Sequence, residues 1–349
     1  MKKIIKGILK AVLAIIIIVV VAAGGLIGFL SVKEFKPADT EEIAVEGTGS
    51  GEVSDEVTVL SWNIGYAGLG KWSDFFMDGG ENTRSADKTM VNAYLSGINT
   101  VIAEQNADIV MLQEVDSDST RTFGINEVEK LAVGASAYAL NYSCPFVPFP
   151  WPPIGKVNSG LLTFTDYPII SASRISLPCP FSWPIRVANL KRCLLISRIP
   201  AKNDRELVIV NLHLEAYDSG EGKIAQTKAL KDFIEAEYAN GNYVIAGGDF
   251  NQEFPGVLEI YPNTHEEWMP GTLENDMLPD GWSFVYDTDT PTCRLLNQPY
   301  NPADTEGTQY YVIDGFIVSP NVLSAQATTI DAGFENSDHN PVRLEVKLG

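Results

Sequence analysis

The sequence predicts two packed mixed β-sheets with helices on their outer faces, on three observations. From Val57 onward, short apolar runs outnumber amphipathic stretches. Many of these runs follow one another with no helix between them, which fits a doubly wound parallel sheet badly. Polar residues recur where the runs end, and such ends are where α/β sites are assembled.

The elements follow in chain order. Val57–Asn63 reads as a strand and leads into a loop through Asp78. Residues 86–105 carry Met90, Ala93, Tyr94, Ile98 and Ile102 at helical spacing. Ile109–Val115 is a short buried-type strand ending in acid, and strands are expected at 161–164, 169–173, 194–197 and 207–214. A second amphipathic helix covers 224–238, and strands at 244–247, 312–318 and 342–347 complete the pattern.

The N-terminus has a different composition. Residues 1–10 form a basic stub with Lys2, Lys3, Lys6 and Lys10, and 11–30 run without a charge. That run is long enough to cross a bilayer as a helix, and the basic excess before it predicts the N-terminus inside and the body outside. A cleaved signal peptide is the alternative, but the apolar run is longer than usual and no small-residue cleavage site closes it. Residues 31–56, acidic and carrying Gly47-Thr-Gly-Ser-Gly51, read as a flexible linker to a body at 57–349.

Charge and cysteines narrow the function classes. The chain carries −20, and because residues 1–36 hold six lysines and one acid, the remainder carries −25. Such a field repels polyanions, although divalent metal at a cleft can offset it locally. Cys144, Cys179, Cys193 and Cys293 form no zinc spacing. Free buried thiols are one reading, and a Cys144–Cys179 bridge is the pairing expected if one forms outside the cell. Cys144-Pro-Phe-Val-Pro-Phe-Pro-Trp-Pro-Pro153 and Pro178-Cys-Pro-Phe-Ser-Trp-Pro184 alternate proline with aromatics, so neither can be a central strand. They read either as rigid loops packed on each other or as an aromatic rim that grips substrate or touches lipid.

Asn63, Glu114, His213, Asp249, Asn251, Asp314, Asp338 and His339 fall at predicted strand ends. Carboxylates and amides without cysteine suit a hard cation, Mg²⁺ or Mn²⁺ with Ca²⁺ also admissible. Two of the chain's three histidines lie among them, whereas His265 sits in a polar loop and reads as surface.

Taken in order, Leu60-Ser-Trp-Asn-Ile-Gly65, Leu112-Gln-Glu-Val-Asp116, Asn211-Leu-His-Leu214, Gly247-Gly-Asp-Phe-Asn251, Ile313-Asp-Gly-Phe316 and Ser337-Asp-His-Asn-Pro341 resemble the endonuclease/exonuclease/phosphatase family. The resemblance implies a four-layer α/β/β/α sandwich, in agreement with the two-sheet reading, and a metal-dependent phosphoester hydrolase. It implies Glu114 as principal metal ligand with Asn63 beside it, and Asp338 completing the metal site. Asp249 would orient or deprotonate the attacking water, Asn251 would bond a phosphate oxygen, and His339 would contact the scissile phosphate with Asp314 fixing its ring. His213 matches the family's other histidine, and either Asp249 or His339 is the general base.

Departures qualify the substrate. Ile64-Gly-Tyr66 follows Asn63 where nucleases often place a basic or acidic residue. Asn158 is expected to shape the cleft wall and Arg294 to meet substrate phosphate. A lipid headgroup or small phosphodiester is therefore the favoured substrate, acted on outside the membrane, with no protein partner predicted. An anchored nuclease on DNA or RNA is the second reading, and a silent binding module on the same fold the third.

Overall fold

The computed structural model describes residues 2–84, 86–218, 220–304 and 307–349. Two seven-stranded sheets dominate it. The first runs in the order 40–43, 171–176, 193–201, 205–213, 243–249, 314–318 and 283–285; the second runs 322–329, 342–348, 56–63, 109–116, 155–165, 135–147 and 45–46.

Each sheet has a parallel pair at its heart. Glu56–Asn63 lies parallel to Ile109–Asp116 with Asn63 opposite Gln113, and the helix Lys88–Gln105 connects them. Arg205–His213 lies parallel to Tyr243–Asp249 with His213 opposite Asp249, and the helix Glu221–Ala239 connects those. Parallel pairing forces a crossover, and the amphipathic helix supplies it. It also brings the C-terminal ends of both strands of a pair to one edge.

Strand alternation builds the layers. Leu207 and Ile209 face the centre with Val57, Val59, Ile109 and Met111 from the other sheet. Val208 and Val210 face outward onto Leu230 and Ile234 of one helix, while Leu60 and Trp62 pack on Val91, Leu95 and Ile98 of the other. The result is helix, sheet, sheet, helix, as the sequence predicts. Truncating a central residue such as Ile209 to Ala would cost about 2–5 kcal/mol.

Residues 31–56 are not a free linker. Thr40–Ile43 pairs with Ser171–Ser176 at the edge of one sheet, and Val45–Glu46 pairs with Ala137 and Ser136 at the edge of the other. Short acidic strands are a common way to close sheet edges. The glycines that suggested flexibility meet close backbone instead. A Cβ on Gly47 would lie 2.0 Å from the Gly134 carbonyl oxygen, and one on Gly49 the same distance from that of Tyr167.

Two further differences concern strands. Ala135–Val147 was not expected, because polar residues and Pro145 interrupt its pattern; its last residues carry the first proline-aromatic stretch beyond a register shift at Cys144–Val147. Val322–Thr329, an edge strand with most side chains at least partly exposed, lacks the apolar alternation that signals a strand. All four cysteines are free, Cys144, Cys193 and Cys293 buried and Cys179 exposed. Residues 2–32 form one helix, long and apolar enough to cross a membrane.

Candidate active site

The edge shared by the parallel pairs gathers the polar strand ends. Asn63, Glu114, His213 and Asp249 arrive at or near strand C-termini. Asp314 starts an antiparallel strand directly opposite Asp249, and Asp338 and His339 precede the strand Val342–Leu348. Between the sheets at this edge the core turns polar, with Gln113 Nε2 donating to Asn211 Oδ1 at 2.9 Å.

Local backbone strain aims these side chains. Glu114 sits at φ +55° and Asn251 at φ +51°, and Glu114 falls within a register irregularity between Leu112 and Val115. Non-glycine residues adopt this left-handed region rarely, and it is often seen at functional sites. Gly248 at φ +141° has no room for a side chain, since a Cβ there would lie 2.0 Å from the Leu212 carbonyl oxygen. The Gly-Gly before Asp249 thus permits the close approach of two strands that carries the acid into the site.

Asp249 is the hub. Its Oδ2 lies 3.0 Å from Asn63 Nδ2, 3.3 Å from His213 Nε2 and 3.9 Å from His339 Nε2. Its Oδ1 accepts the Asn251 N–H at 2.9 Å. Burial, and then Asp314, push its carboxyl up to about 7, with His339 opposing. His339 Nδ1 lies 2.8 Å from Asp314 Oδ2, which turns Nε2 toward Asp249 and Asp338. Burial pulls this imidazole down, but Asp314, Cys293 and Asp338 outweigh it and hold it well above its ordinary value. Burial, Arg192 and His339 drive His213 well below its own, which favours the neutral imidazole.

Burial also raises the Glu114 and Asp338 carboxyls, with Arg121 and His339 respectively the leading opposing charges. The buried Asp249, Asp314 and Asp338 carboxylates and the partly exposed Glu114 are a donor set that suits a hard divalent ion. Asp249, Asp314 and His339 offer ligand atoms within 4.8 Å of one another, as do Cys293, Asp338 and His339. Glu114 stands across from them, 4.0 Å from His213 Nε2.

Three expectations change. Asn63 presents Nδ2 to Glu114 at 3.4 Å and to Asp249, while its Oδ1 accepts the Gly65 N–H. An amide nitrogen cannot ligate a cation, so Asn63 orients carboxylates. Asn158 is spent on its own loop, its Oδ1 accepting from Ser143 and its Nδ2 donating to the Asp118 carbonyl. Arg294 is buried and donates to the carbonyls of Leu295, Gln298, Gly70 and Ser73, so it ties loops together while still lining the cleft, its Nε without a partner among the described residues. Asn251 stays in the site but uses one amide hydrogen on the Leu214 carbonyl at 2.8 Å. His265 lies apart, 3.4 Å from Glu267.

The structure adds residues the motifs do not mark. Arg121 makes a two-pronged pair with Asp116 at 3.0 and 2.9 Å and lies 3.5 Å over the Tyr66 ring. Arg192 donates to the His213 carbonyl at 3.2 Å. Asn141 is buried with its Nδ2 unpartnered among the described residues. All three line the same 530 Å³ cleft as Glu114, Asp249 and His339. The Asp116–Arg121 spacing was a visible signal; nothing local marks Arg192 or Asn141.

Comparisons place this arrangement among known folds. A Beutenbergia cavernae endonuclease/exonuclease/phosphatase superposes with TM-score 0.53 at 18% identity, covering 84% of this chain and 72% of its own. TDP2 from C. elegans gives 0.51 at 17%, covering 84% and 75%. TDP2 from D. rerio, solved with a single strand DNA product, gives 0.51 at 15%, covering 84% and 99%. None of the curated proteins compared matches the sequence. The model of the endonuclease/exonuclease/phosphatase family matches residues 60–339, which span every motif from Leu60 to His339, and the chain belongs to that family.

Proposed function

We propose that this chain is a divalent-metal-dependent phosphoester hydrolase, held by its N-terminal helix with the catalytic body outside the cytoplasmic membrane. The observation that carries the chemistry is geometric: Asp249 Oδ2 and His339 Nε2 lie 3.9 Å apart at the strand ends, with Asp314 on the far side of the imidazole. Burial raises the Asp249 carboxyl and Asp314 holds the His339 imidazole up, and a carboxylate beside such an imidazole can divide base and acid roles. His339, kept protonated by Asp314, donates to a phosphoryl oxygen and is a poor base. Asp249, near neutrality, is the group that takes a proton from water.

Glu114 and Asp338 would hold the cation, which, when bound, polarises the phosphoryl group and steadies the leaving oxygen. The chain's own residues do the rest. Water attacks phosphorus as Asp249 removes its proton; a new P–O bond forms and the ester P–O bond breaks. The leaving alkoxide takes up one proton from solvent and Asp249 returns its proton to solvent, so the proton count closes. Neutral His213 and the Asn63 amide hold the Asp249 carboxylate, and His339 meets charge developing on phosphorus-bound oxygen.

The second reading, a nuclease, draws on the D. rerio TDP2 complex with DNA. The −25 body weighs against it, because unsteered polyanions are repelled. The full chain in detergent micelles, given bis-p-nitrophenyl phosphate with Mg²⁺, Mn²⁺ or Ca²⁺ and then chelator, tests the chemistry. Chelator-sensitive release of nitrophenol is expected. For orientation, a membrane-impermeant maleimide should label exposed Cys179 in intact cells and fail on Cys179→Ser; labelling only after lysis would place the body inside.

A further inference from the structure

The cleft has a second end of opposite character. Phe76, Val147, Phe149, Ile154, Phe181 and Ile185 wall it. Phe149 is 69% and Ile185 63% exposed, so this wall is also the rim, and Trp151 and Trp183 stand exposed on the same two proline-aromatic segments. The first segment reaches back over the body through Phe149, whose ring meets that of Phe76 edge-on at 5.9 Å.

This wall backs directly onto the N-terminal helix. Leu26 and Leu30 pack in one cluster with Val147, Ile154, Val187 and Ala188, and Val147, Ile154 and Ala188 also line the cleft. One layer of side chains therefore separates the helix from the cleft. Polar contacts fix the placement. Trp183 Nε1 donates to Ser31 Oγ at 3.0 Å. Arg186 Nε donates to Glu34 Oε1 at 3.1 Å, and Lys191 Nζ lies 3.5 Å from that oxygen.

The depth of this contact matters. Leu26 precedes the helix end at Val32 by about 9 Å at 1.5 Å per residue, so the body meets the helix within its apolar length. Tryptophans beside such a helix end favour the membrane interface. The apolar rim therefore lies beside the outer end of that helix, where acyl chains would be within reach if the helix spans a bilayer.

We propose that the apolar end of the cleft is a subsite for the hydrocarbon part of a membrane phospholipid whose phosphoester lies against Asp249 and His339. The proposal rests on the hydrolase reading and on the helix crossing a membrane. The lipid arrives by lateral diffusion in the bilayer, so the acidic body needs no electrostatic steering to collect it.

A homologous series of p-nitrophenyl alkyl phosphodiesters, methyl to octyl, tests the subsite with one leaving group and one chemistry. With the full chain in micelles, kcat/KM should rise by about fourfold per buried methylene until the space is filled. Ile185→Asn and Phe149→Ser, both at exposed positions, should flatten that slope. Turnover of the methyl ester with no dependence on chain length overturns the subsite and leaves the hydrolase intact. Faster turnover of single-stranded DNA than of the octyl ester overturns it in favour of nucleic acid. If neither the methyl ester nor bis-p-nitrophenyl phosphate is hydrolysed, the hydrolase reading itself falls and the subsite with it. The membrane as the source is tested with Glu34→Ala reconstituted into phosphatidylglycerol vesicles. Releasing the helix from Arg186 and Lys191 should cut vesicle-lipid turnover at least tenfold while methyl-ester turnover holds; equal loss on both substrates overturns the positioning role.

Discussion

The two ends of the cleft are assembled in different ways. The polar end comes from strand termini that parallel pairing forces to one edge, so its side chains are fixed by the sheets. The apolar end comes from loops at 75–77, 147–154 and 181–185, braced by the N-terminal helix. On the proposed function, chemistry would sit on the sheet scaffold and selection on the loop-built rim, a division seen wherever loops carry specificity. Damage to the polar end should therefore stop turnover of every substrate, and damage to the apolar end should change only which substrates are preferred.

The largest effect is expected from His339→Ala. Removing the imidazolium should lower kcat by about 10²–10⁴-fold on all phosphodiesters, consistent with the usual worth of a positioned acid or base. A loss confined to long-chain esters would erase the contrast between the ends. Glu114→Gln should come next, weakening Mn²⁺ binding by on the order of 10²-fold, measured by calorimetry, with a parallel fall in activity at fixed metal. Asp314→Asn should cost about 10–100-fold, because the His339 ring loses its orienting partner. It should also lower the His339 pKa, since Asp314 is the leading charge holding it up. The alkaline fall in activity should accordingly begin at lower pH than in wild type.

The smallest effect concerns a buried charge in the cleft wall. Burial pushes the Asp78 carboxyl up to about 7 against the hydrogen bond from Tyr217, with Asp338 and Glu114 adding to the rise. A carboxyl raised above its unfolded value holds more protons when folded. Stability therefore falls as pH rises from about 4 to about 7 and stays lower above that. Asp78→Asn keeps an acceptor for the Tyr217 hydroxyl and removes the charge. It should match wild type near about pH 4 and exceed it at about pH 8.5 by on the order of 2 kcal/mol, read by urea denaturation at each pH.

The same contrast explains what was legible in the sequence. Asn63, Glu114, His213, Asp249 and Asp314 end apolar runs, and parallel pairing brings two such pairs of ends to one edge, whereas Asp338 and His339 were legible through the motif series that resembles the family. The two long crossover helices were legible for the same reason, since their apolar period is local. What a side chain does on arrival was less so. The direction of the Asn63 amide depends on the Gly65 N–H, and two of the carbonyls that Arg294 bonds, those of Gly70 and Ser73, lie more than two hundred residues away. The acidic 31–56 segment looked solvated because composition does not show which backbone a glycine must approach. The apolar end was half visible: the proline-aromatic segments stood out, but their meeting with Phe76 and with Leu30 is purely tertiary.

The most direct test of the central claim is the turnover of bis-p-nitrophenyl phosphate by the full chain, titrated with Mn²⁺, for wild type and His339→Ala side by side. Metal-dependent release of nitrophenol by wild type, abolished by chelator and reduced at least a hundredfold in a folded, metal-binding His339→Ala, is the predicted result. Metal binding by both proteins with no turnover by either, or equal turnover by both, would contradict it.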